Sequence, residues 1–99
     1  MKPVLPDREE IQGRISRLRD ALAGQGADGA LLVQKVDLYY FSGTDQDAHL
    51  WVPVSGEPLL LVRKSLERAR RDALIDRIVP LGSLRELPER MEEGSQGPP

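Results

Sequence analysis

The sequence contains no cysteine. That absence removes disulfide staples, thiolate nucleophiles and cysteine-ligated zinc from consideration, and it leaves the redox compartment undetermined. Imidazole is nearly missing as well, with His49 the single histidine, and the aromatic residues are only Tyr39, Tyr40, Phe41 and Trp51. No apolar run approaches the ~18 residues that a membrane-spanning helix requires, and the opening Met1 to Pro6 passes directly into the charged Asp7-Arg8-Glu9-Glu10. No membrane partner is expected, and the expected location is cytoplasmic. An excess of one charge is also lacking: 14 basic residues stand against 16 acidic ones, a net charge of -2. Such a balance sets up no global field to collect nucleic acid, so no nucleic-acid partner is expected.

What is present describes one ordinary domain of 99 residues, 39% apolar and 30% charged. A chain of this length buries roughly 60 to 65% of its extended surface, enough for a single modest core. Asp7 with Glu10 three residues later has the form of an N-cap with a capping-box partner, and Ile11, Ile15, Leu18 and Leu22 then recur at helical spacing. Gly13 lies inside this helix, and Gly24 and Gly26 offer an ending before Asp28. The unbroken run Ala30-Leu31-Leu32-Val33 predicts a central strand covered on both faces. Asp37 is placed to cap a helical turn through Leu38 to Phe41, closed by Ser42-Gly43.

Leu50 to Val54 and Leu59 to Val62, joined by Ser55-Gly56-Glu57-Pro58, predict an antiparallel hairpin. Ser65 is expected to cap a helix over Leu66 to Leu74, with a fourth strand at Arg77 to Leu81. Ser83 and Glu86 form a second capping box for a last helix, which Pro88 should kink or split. The expected class is α/β, a mixed sheet of about four to five strands with an antiparallel hairpin and helices packed on it. Residues 1–93 are assigned to the domain, and 94–99, built of Gly, Ser, Gln and Pro, to a linker.

Two-metal hydrolysis needs carboxylates, and usually imidazoles, converging from rigid elements. His49 with Asp45 and Asp47 is the only grouping of that kind, and three such residues in a loop entering a strand more often form a polar surface turn. The neighbours Glu9/Glu10 and Glu92/Glu93 point about 100° apart on a helix and cannot share a proton. Arg63, Lys64, Arg68, Arg70, Arg71 and Arg77 gather basic charge without interleaved aromatics, as the solvated face of a short helix does. Catalytic, cofactor-binding and metal-ligating residues are therefore all expected to be none in this chain. Among the aromatics, core packing is the expectation for Tyr40 and Phe41, and an interface patch is the other reading.

Several segments taken in order carry a resemblance. They are Arg17 to Leu22 with Gln25 to Val33, then Tyr40-Phe41-Ser42-Gly43, then Gly56 to Val62 followed by Arg63-Lys64 and Glu67-Arg68-Ala69. Together they resemble the N-terminal domain of the creatinase/prolidase family of Xaa-Pro aminopeptidases, Xaa-Pro dipeptidases and creatinase, whose fold carries a ribonuclease H-like motif. Gly24, Gly29 and Lys35-Val36 depart from that pattern.

The resemblance implies a C-terminal pita-bread domain holding two divalent metal ions, of Mn or Co type, through two Asp, one His and two Glu. None of those ligands lies in this sequence. It further implies that this domain supports a homodimer and restricts the active-site mouth to short proline-containing peptides. Tyr40, Asp45, His49 and Trp51 are then candidates for the substrate entrance or the interface. An inactive relative that binds peptides or a protein partner, as in a histone-chaperone subunit of similar architecture, is the alternative. Another strand follows the last helix in such proteins, so the fourth strand here should present an unpaired edge.

Overall fold

The computed structural model describes residues 7–44 and 47–96, with the side chains of 93–96 left out. Asp45 and the end of the expected linker, residues 97–99, lie outside the described residues. The elements are α1 (Arg8–Gly24), β1 (Gly29–Leu32), α2 (Lys35–Ser42), β2 (Ala48–Pro53), β3 (Leu59–Val62), α3 (Leu66–Asp72), β4 (Ile78–Pro80), a 3-10 turn (Leu84–Glu86) and α4 (Leu87–Gln96). The strands form one sheet in the order β1-β2-β3-β4. β1 and β3 both run antiparallel to β2, and β4 runs parallel to β3. The fold is therefore the expected α/β mixed sheet, with four strands.

Strand alternation sorts the side chains onto two faces. Ala48, Leu50, Val52, Leu60 and Val62 point to one face, where they pack with Ile11 and Ile15 of α1, Leu38 of α2 and Ala69 of α3. Trp51, Leu59 and Leu61 point to the other face, where Leu81 completes a smaller cluster and Leu87 and Met91 of α4 pack against it. The result is three layers, with α1, α2 and α3 on one side and α4 on the other.

Local chemistry accounts for most boundaries. The Asp7 carboxylate accepts from the Glu10 amide at 2.8 Å and opens α1. Gly43 closes α2 with φ of 82°, a left-handed conformation that favours glycine. Ser83 Oγ accepts from the Arg85 amide while the Glu86 carboxylate accepts from the Ser83 amide at 2.7 Å, so both halves of the capping box form. Pro88 does split the last helix: the 3-10 turn ends at Glu86, which puts Pro88 in the first turn of α4, where its missing N–H does no harm. α4 continues past Glu93 to Gln96.

Three expectations need correction. β1 is an edge strand whose four residues are all only partly buried, because nothing pairs with its outer side among the described residues. Asp37 does not cap α2; the helix begins two residues earlier, with Gln34 in the N-cap position. Ser65 occupies the N-cap of α3 in a left-handed conformation, φ 59° and ψ 48°, and its side chain makes no capping bond. An N-cap hydroxyl works from extended backbone, so the left-handed turn takes it out of range.

Candidate functional site

Of the four residues singled out for an entrance or interface, the three that are described, Tyr40, His49 and Trp51, do not form one cluster. Tyr40 sits on α2, 45% exposed, with the Arg14 guanidinium 4.1 Å above its ring. Arg14 Nη1 also donates to the Tyr40 carbonyl at 2.8 Å, so α1 clamps this tyrosine from both ring and backbone. Phe41 meets the Tyr40 ring edge-on at 4.8 Å and turns inward against the larger core. Core packing thus holds for Phe41 and fails for Tyr40, since consecutive helical residues point about 100° apart.

Trp51 lies on the opposite side of the sheet and is buried, 7% exposed. A Cβ placed on Gly29 would come within 2.4 Å of the Trp51 ring, so the departure from the family pattern at Gly29 has a steric cause: the indole occupies the space a side chain would need. His49 shares that face of β2, is partly buried, and its Nδ1 is buried without a hydrogen-bond partner. Asp47, just before the same strand, is exposed. Among the described residues no group of three or more His, Cys, Asp or Glu side chains could hold a metal ion.

A cleft of about 240 Å³ opens between α1 and the connection from α3 to β4, lined in part by Arg8, Ile11, Arg19, Pro58 and Asp76. Arg8 and Asp76 close one side with a 2.6 Å ion pair, and Arg19 Nε donates to the Pro53 carbonyl at 3.3 Å. Ligand pockets usually begin near ~300 Å³ and gather convergent polar groups, whereas this cleft is smaller and its Arg19 Nη2 is buried without a partner. Arg63, Lys64, Arg68, Arg70 and Arg71 are exposed, and Arg68 and Arg71 both approach Asp72. Arg68, Arg70 and Arg71 form the solvated face expected of α3, and Arg63 and Lys64 lie just before it.

For the two tyrosines the interface-patch reading describes the surface better than core packing does. Val36, Tyr39 and Tyr40, at positions i, i+3 and i+4 of α2, are 77%, 41% and 45% exposed, and Val33 just before the helix is 53% exposed. Leu38, on the other side of α2, is buried. The signal was present in the spacing: the segment carries apolar residues on both faces of one short helix, and only one face can meet the core. An exposed apolar helix face of this sort is a candidate contact surface.

The architecture thus defines a small three-layer α/β/α domain whose α2 presents an apolar face outward. Comparison with family models matches residues 14–97 to the creatinase/prolidase N-terminal domain, and the chain belongs to that family. Comparison with curated protein sequences gives no significant match. Among solved structures, the fold is similar to the prolidase from Pyrococcus furiosus, with TM-score 0.71 and 24% identity over 78% of this chain and 24% of that one. It is also similar to the aminopeptidase P from Streptococcus thermophilus, with TM-score 0.71 and 19% identity over 84% of this chain and 66% of that one. The dipeptidase PepE from Mycobacterium ulcerans gives TM-score 0.74 and 17% identity over 97% of this chain and 28% of that one. The chain thus spans 24%, 66% and 28% of the lengths of these proteins, and at such identities the likeness is one of fold.

Proposed function

We propose that this chain is the non-catalytic N-terminal domain of a metal-dependent Xaa-Pro aminopeptidase or dipeptidase. In this reading residues 94–99 lead toward a C-terminal catalytic domain that holds the two divalent metal ions, of Mn or Co type. The domain itself supports a homodimer and narrows the entrance to short proline-containing peptides, in a cytoplasmic enzyme. The observation that carries the reading is the family match over residues 14–97, in a fold similar to a prolidase and a dipeptidase of which this chain spans about a quarter.

The exposed face of α2 supports the interface part of the proposal, because Val36, Tyr39 and Tyr40 expose apolar area that a partner surface would cover. Tyr40 is the best placed of the three described candidates, while His49 and Trp51 lie on the face of the sheet covered by α4. The test has two arms. The 99-residue chain incubated with Xaa-Pro dipeptides and Mn²⁺ should release no product above a buffer blank, and a longer chain including the downstream coding sequence should. Turnover by the short chain, or a downstream sequence without the two Asp, one His and two Glu, contradicts the proposal. The second result would favour a peptide- or protein-binding relative.

A further inference from the structure

The sheet has two ends, and they differ. At one end β4 is three residues long and finishes at Pro80, which has no N–H to offer a neighbour. At the other end, among the described residues, β1 is open along its whole length. The Val54 amide donates to the Asp28 carbonyl at 2.8 Å, and the register pairs Ala30 with Val52 and Leu32 with Leu50. Hydrogen-bonded and non-bonded pairs alternate along an antiparallel ladder, so Asp28, Ala30 and Leu32 bond toward β2. The backbone groups of Gly29 and Leu31 therefore point away from the sheet, and none of them meets a backbone partner among the described residues. Unlike Pro80 at the far edge, no proline or charged side chain lies within Gly29–Leu32 to blunt this one.

The handedness of chain crossovers says what belongs there. β3 and β4 are parallel neighbours, joined through α3, which packs on the face of the larger core. α4 packs on the opposite face and lies over β2. Crossovers between parallel strands keep one hand almost without exception, so connections with helices on opposite faces walk along the sheet in opposite directions. The step from β3 to β4 moves away from β1. The step through α4 must then move back toward β1, and since the β3 and β2 positions are filled, the first vacant position lies outside β1. Direction agrees as well: β1 and β3 are both antiparallel to β2, so β1 is parallel to β4 and a strand returning from α4 would run parallel to β1.

We propose that the outer edge of β1 is an acceptor for a parallel strand supplied by the polypeptide that follows α4, which bonds to the outward backbone groups of Gly29 and Leu31. The proposal rests on the reading that further chain follows this domain, and it moves the point of attachment from β4, where a sequence reading would put it, to the far side of the sheet.

Amide hydrogen exchange resolved by residue tests it, comparing the 99-residue chain at low concentration with a chain extended through the downstream coding sequence. In the short chain the Leu31 amide should exchange faster than those of Ala30 and Leu32. In the extended chain it should slow by roughly tenfold or more, the effect of one gained hydrogen bond, while the outward amide of Ile78 on β4 is unchanged. Unchanged exchange at Leu31, or new protection at Ile78, whose amide points outward from β4, overturns the placement and leaves the reading of a longer protein intact. A stop codon directly after Pro99 ends that reading and the proposal together. Leu31→Pro removes the outward N–H without touching the bonds to β2. It should leave the short chain folded by circular dichroism and should keep the β1 edge of the extended chain in fast exchange.

Discussion

On the face of the sheet covered by α1, α2 and α3, eleven of the described residues form a continuous buried cluster, whereas the face covered by α4 buries four. The first face draws on three helices and on the inward residues of β2 and β3. The second rests on Trp51, Leu59, Leu61 and Leu81, with Leu87 and Met91 of α4 only partly buried against them. A buried aliphatic side chain contributes about 1.5 to 3 kcal/mol, so the larger face supplies most of the stability of a domain whose total is about 5 to 15 kcal/mol. The α4 layer is then the one able to loosen without unfolding the rest, and it is also the layer from which the chain continues past Gln96. Stability and connection are assigned to opposite sides of one sheet.

The contrast is broken most directly at Leu60, fully buried in the larger cluster. Leu60→Ala should cost about 2 to 5 kcal/mol in urea unfolding and bring the domain close to the unfolded state at 25 °C. A cost below 1 kcal/mol would mean that the face of three helices is not the foundation. Gly29→Ala probes the other face: the added methyl meets the Trp51 ring at 2.4 Å and must displace it. The expected cost is about 1 to 3 kcal/mol, with tryptophan emission shifted to the red as the indole moves toward water. Unchanged emission would show that the ring is not seated on Gly29.

Ser83→Ala removes one half of the capping box that starts the α4 layer and should cost about 1 kcal/mol. Its effect should fall mainly on hydrogen exchange in α4, and equal acceleration in α1 would show the two layers to be one cooperative unit. The smallest effect is expected at Arg8→Ala, which breaks a 2.6 Å ion pair whose partners are 54% and 80% exposed. Less than about 0.5 kcal/mol should be lost, as is common for solvated pairs. A larger loss would mark the cleft beside Asp76 as structurally important.

Features set by adjacent residues were legible in the sequence. The hairpin between β2 and β3, the cap at Asp7, the capping box at Ser83 and the break at Pro88 each follow from a few neighbouring side chains. Position within the sheet was not legible. Ala30 to Val33 has the unbroken apolar character of a central strand, yet β1 sits at the edge, because apolar cover above and below says nothing about neighbours to left and right. The left-handed turn at Ser65 likewise has no local signature, since serine before a helix normally predicts an extended cap. For the candidate site, closeness in sequence misled: Tyr40 and Trp51 are eleven positions apart and lie on opposite sides of the sheet. Strand parity puts Trp51 with Leu59 and Leu61, whereas α2 lies over the opposite face.

Trp51 is the only tryptophan in the chain, and it is held between a glycine and the last helix. That makes it a natural optical gauge, blind to events on the side of α1 and responsive to whether α4 is seated. A fluorescence trace from the unmodified protein would follow the attachment of whatever comes after α4, in real time and without any added dye.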